Sequence, residues 1–157
     1  MNKSLLSKIV ISFLASTVAL SFAQEPKSQD RDKEVILDTF KWFNEISSKK
    51  RQGFSQEDVA KHFAKDAKML TNDKLVCTGI NEHYDHFIEL NRHYVFLRAN
   101  VENMDIHQSG DRYYLHYTME GESTQAKPVK MHIMGYMVVH DHRITLFNEI
   151  VAKDASV

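Results

Sequence analysis

The chain has 157 residues, with 20 basic against 21 acidic side chains, a formal charge of −1, and 43% hydrophobic residues. That length and balance fit one globular domain and leave no basic surplus of the kind that nucleic-acid binding uses. Cys77 is the only cysteine, so no intramolecular disulfide can form and the fold must be held by packing.

Met1 to Ala23 reads as an export signal: Lys3 and Lys8 precede an uncharged apolar run, Ile9 to Leu20, and Ser21-Phe22-Ala23 offers small residues for cleavage. The uncharged stretch falls short of the roughly 18 to 20 residues that span a bilayer comfortably, so no stable membrane span is expected. The mature protein is expected to start at Gln24, to carry 18 basic and 21 acidic side chains, and to reside in the periplasm or outside the cell. Residues 24–32 are polar, contain Pro26 and read as a flexible leader; the domain is expected over 33–152, with a tail at 153–157.

From Lys33 to Lys50 the apolar residues Val35, Ile36, Phe40, Phe43 and Ile46 recur at helical spacing. Gly53 breaks that helix. Ser55 followed by Asp58 then opens a second with a capping hydroxyl and a carboxylate three residues on, and this helix is expected to end near Lys65. Ala67 to Leu70 reads as a strand, Asn72-Asp73 as a turn, and Lys74 to Thr78 as the returning strand, in which Cys77 reads as a small buried residue rather than a nucleophile. Gly79 opens a third helix, about Ile80 to His93, with Ile80, Tyr84, Phe87, Ile88 and Tyr94 on one side. Beyond it the period changes to two, with strands predicted near 95–106, 112–120, 128–140 and 143–152, joined by hairpin-like turns at Ser109-Gly110-Asp111 and His140-Asp141-His142.

Three helices and a curved antiparallel sheet, with Asp66-Ala67 entering a short hairpin, Gly79 opening the third helix and His142-Arg143-Ile144 near the end, resemble the nuclear transport factor 2-like superfamily, in its SnoaL-like branch. The resemblance implies an α+β fold in which three N-terminal helices pack on an antiparallel sheet rolled into a conical barrel of the cystatin-like type. It also implies a cavity. Relatives of this kind include isomerases, cyclases, hydrolases, dehydratases and binding proteins, so the fold does not choose a chemistry. In the isomerase branch a catalytic carboxylate stands five residues after the Asp of the Asp-Ala pair; here that position is Thr71, and the first helix offers Phe40, Trp42 and Phe43 in place of an oxyanion-binding tyrosine. Both departures speak against ketosteroid isomerisation.

Alternation places the odd residues of 129–139 inward, together with Tyr113, Leu115, Tyr117 and Met119. A cavity so built would be lined by Trp42, Met69, Tyr84, Phe87, Tyr94, Tyr113, Tyr117, Met131 and Met137, with Asn148 as its polar group on the last strand. His116 and His132 then fall on the outer face, where His132, Met134, Tyr136 and Val138 could pair two copies into a homodimer. A single β-bulge would reverse such an assignment. His83 and His86 lie one helical turn apart and His140 and His142 share a turn, but a metal centre needs three or four ligands, and none is expected. No phosphate loop, dinucleotide fingerprint or nucleophile elbow occurs, so no cofactor is expected.

Three functions fit these features. The first is a pocket binding a small apolar ligand without catalysis. The second is a SnoaL-like lyase, isomerase or hydrolase using His116, His132 or Asp73 as its acid or base. The third is a homodimeric assembly or adaptor subunit.

Overall fold

A computed structural model describes residues 28–50, 53–125 and 128–153. The segment read as an export signal, the first part of the expected leader and residues 154–157 lie outside the described residues. Three helices, α1 (Ser28–Ile46), α2 (Gln56–His62) and α3 (Gly79–His93), pack on a strongly curled sheet of seven strands. The strands are β1 (Phe63–Thr71), β2 (Lys74–Thr78), β3 (Tyr94–Ala99), β4 (Asp105–Ser109), β5 (Arg112–Ser123), β6 (Pro128–His140) and β7 (Arg143–Lys153), in the order β2-β1-β7-β6-β5-β3, with β4 also on β5. No described helix is long and apolar enough to cross a membrane.

Six details differ from the sequence reading, two of them boundaries: α2 ends at His62 rather than near Lys65, and β7 includes Lys153, read as the start of the tail. The sheet is mixed, because β1 runs parallel to β7 while the other pairings are antiparallel. The β1–β2 hairpin separates α3 from the first two helices, so the helices do not all precede the sheet. Ser28 to Asp32, read as leader, belongs to α1, where Asp32 accepts a hydrogen bond from the Tyr113 hydroxyl at 3.0 Å. The single strand expected at 95–106 is two, β3 and β4, divided by a short 3-10 turn at Val101–Asn103.

The local causes are ordinary ones. Ser55 and Asp58 exchange the two bonds of a capping box at the start of α2. Gly79 enters α3 at φ +74, and a Cβ there would stand 3.1 Å from the Lys65 carbonyl. Asn72 and Asp73, and again Asp141 and His142, take positive φ at both turn positions, the type I′ pattern that joins twisted antiparallel strands closely. Between helices and sheet lies one apolar core, in which Phe40 of α1 meets Tyr117 of β5 edge-on at 4.9 Å and Phe147 of β7 at 6.2 Å. Cys77 is buried within it, and burial lifts its thiol to about 12, far from a reactive thiolate.

Candidate functional site

The core does not fill the curl of the sheet. A cavity of about 470 Å³ remains, walled by Phe40, Trp42 and Phe43 of α1, Phe87 and Leu90 of α3, and inward residues of the strands, among them Met69, Tyr117, Met131, Ile133, Met137 and Phe147. A space of this size and lining suits a small, mostly apolar molecule. Trp42 is fixed from three sides, stacked on His62 at 4.6 Å and edge-on to Phe54 and Phe87.

One carboxyl group interrupts the apolar wall. Glu149 of β7 is 8% exposed and lines the cavity. Its Oε1 accepts the Thr71 hydroxyl at 3.1 Å and its Oε2 accepts the Tyr117 hydroxyl at 3.2 Å. Thr71 is its register partner on β1, and the Asn72 N–H bonds the Glu149 carbonyl at 2.9 Å, so the carboxyl is held at both ends by strands rather than by a mobile loop. Burial pushes Glu149 up to about 7, outweighing the two hydroxyl bonds that favour its ionised form. The phenol of Tyr117 is raised well above its ordinary value by the same burial and by the charge of Glu149.

Trp42, Met69, Phe87, Tyr94, Tyr117, Met131 and Met137 line the cavity. Tyr84, Tyr113 and Asn148, expected there, do not. Tyr84 packs on Phe54 at 5.3 Å, and Tyr113 turns its hydroxyl to Asp32. Asn148 lines a shallow groove on the opposite face of the sheet with Tyr114, Met134 and Ile150. The register between β6 and β7 shifts between Val138 and Val139, where Val139 pairs Ile144 but Val138 pairs Leu146. Past that bulge, Phe147, Glu149 and Val151 face inward, and Asn148 turns outward.

The three acid–base candidates from the sequence lie outside the cavity. His116 is exposed on the outer face with Nδ1 3.6 Å from Asp105 Oδ2, His132 is exposed on the same face of β6, and Asp73 is exposed in its turn. None can reach a molecule held in the cavity. Glu149 was the residue missed, and only the bulge reveals it. His86 also lines the wall, its imidazole lowered by burial and by His83. Among the described residues, no group of three or more His, Cys, Asp or Glu side chains could hold a metal ion.

No family model and no curated protein matches the chain. Solved structures do. A candidate polyketide cyclase from Xanthomonas campestris superposes with a TM-score of 0.64 at 13% identity, over 77% of this chain and 90% of that one. A nuclear transport factor 2-like protein from Anabaena variabilis gives 0.63 at 14%, over 83% and 96%. A candidate SnoaL-like polyketide cyclase from Jannaschia gives 0.61 at 11%, over 78% and 85%. At such identities the likeness is one of fold, and the chain has the fold shared by the SnoaL-like and nuclear transport factor 2-like proteins.

Proposed function

We propose that the chain binds a small, largely apolar molecule in the cavity and exchanges a proton with it through Glu149. The observation that carries this reading is the lone buried carboxyl in a largely apolar wall, held by two hydroxyls and poised at about 7. Near neutrality such a group is present in both protonation states, which suits a general acid or base. Thr71 and Tyr117 orient it. The chemistry this arrangement can perform is proton removal beside a carbonyl and its return at another atom, the core of isomerisation, dehydration and ring closure. Thr71, at the position where the isomerase branch carries its base, serves here as the donor that steadies a carboxyl supplied from the neighbouring strand.

The test is exchange of α-protons of small apolar ketones in heavy water, followed by mass spectrometry, with binding measured alongside. The expected result is exchange well above buffer that falls about 100-fold or more in Glu149→Gln while ketone binding persists. Binding without exchange on any ketone would leave a ligand carrier and remove the catalytic part. No binding at all would remove both.

Two further proposals concern setting and assembly. The leader Met1–Ala23 directs export, so the molecule bound is met outside the cytoplasm. The outer face, where Tyr114, Met134 and Ile150 stand exposed together, pairs two copies of the chain.

A further inference from the structure

We propose that the cavity selects an amphipathic organic acid, with its apolar body inside and its carboxylate on Lys153 at the entrance. This rests on reading the cavity as a binding site. Of the side chains that line it, only Asn72 and Lys153 are exposed. The entrance therefore lies between the β1–β2 turn and the end of β7. Asn72 is tied down there, its Oδ1 accepting the Val151 N–H at 3.0 Å. Lys153 is held on a paired strand, opposite Met131 of β6, and on the inward-facing run of Glu149 and Val151.

Lys153 forms no ion pair among the described residues. It does not serve Glu149 either, whose carboxyl is taken by the hydroxyls of Thr71 and Tyr117 and whose raised value has no contribution from Lys153. A cation at the lip of an apolar space, unused by the protein's own carboxyl, fits an acid whose tail is buried. The reverse orientation would set two carboxylates side by side in apolar surroundings, which like-charge repulsion and desolvation both oppose. Glu149 thus fixes the direction, with the acid head at the entrance and the apolar tail toward the inner carboxyl.

The experiment uses decanoate, decanol and decylamine as matched probes, with dissociation constants measured by calorimetry on the wild-type chain, Lys153→Met and Lys153→Arg. Decanoate is expected to bind about three- to tenfold more tightly than decanol, in line with a partly exposed charge-assisted contact. Lys153→Met should abolish that preference, and Lys153→Arg should keep it. Equal binding of decanoate and decanol to the wild type, or a preference that survives Lys153→Met, overturns the proposal and leaves the cavity as a neutral apolar site. Tighter binding of decylamine also overturns it, because Glu149 would then select the head group. If none of the three binds, the binding-site reading falls and this proposal with it.

Discussion

Glu149 is held at a cost that depends on pH, and the sign can be worked out. Its ordinary value of 4.5 is raised to about 7 in the folded chain, chiefly by burial. Below about pH 4.5 the group is protonated in both states and this cost is absent. Between there and about pH 7 the unfolded chain ionises first, so stability falls as pH rises, by about 3 kcal/mol once both states are ionised. Glu149→Gln cannot ionise. Urea unfolding of both proteins should therefore show the variant gaining on the wild type by about that amount between about pH 4.5 and about pH 8. A difference that stays constant across this range would show that the carboxyl is not buried in solution.

The residues legible in the sequence were those on strands with a polar and an apolar side. In β5, Tyr113, Leu115, Tyr117 and Met119 are buried while Arg112, Tyr114 and His116 are exposed, and simple alternation reads this pattern. β7 offers no such contrast: Leu146, Phe147, Ile150 and Val151 put apolar groups on both faces, so nothing local marks the point where the bulge exchanges them. Glu149 was hidden for that reason, as was the inward turn of Phe147.

Among elements, the β6–β7 pair does most to place the site, and Gly135 is the residue that permits it. Gly135 pairs with Glu149, and a Cβ built on it would overlap the Asn148 carbonyl oxygen and stand 2.9 Å from Glu149 Cα. The sheet curls so tightly here that backbone occupies the room a side chain would need. Gly135→Ala should force β7 outward, lowering the urea midpoint by an amount equivalent to about 1–3 kcal/mol and weakening ligand binding through the displaced carboxyl. An unchanged midpoint would mean that the two strands lie farther apart than described. The parallel pairing of β1 with β7 was beyond sequence reading for a related reason: hairpin signals such as Asn72-Asp73 report neighbours in the chain, whereas this contact joins Thr71 to Glu149, 78 residues apart. α1 begins earlier than its apolar stripe because its first turn is polar and is anchored through Asp32 to Tyr113.

On the scale of the whole molecule the two faces of the sheet differ in what they present. The inner face carries the cavity, and the outer face carries three of the large apolar side chains that stand exposed among the described residues. Met134 and Ile150 are cross-strand partners, 62% and 57% exposed, and Tyr114 sits one strand away beside Tyr136, whose ring also receives the Arg112 guanidinium at 4.4 Å. A contiguous apolar patch of this kind on a free surface is the usual mark of an interface. A second copy suits it, since the patch is flanked by both Asp105 and Arg112 and is not repelled by its own image. Light scattering of residues 24–157 should return the mass of two copies. Met134→Lys, which sets two ammonium groups against each other across a two-fold axis, should return the mass of one, with the stability of the single chain changed by no more than about 0.5 kcal/mol. Because the substitution lies on the face opposite the cavity, affinity for an apolar ligand should be unaltered. A single-chain mass for the wild type at high concentration would assign the outer patch no partner of its own kind, while a Met134→Lys chain that lost its ligand would show that pairing holds the curl of the sheet, and with it the cavity, in shape.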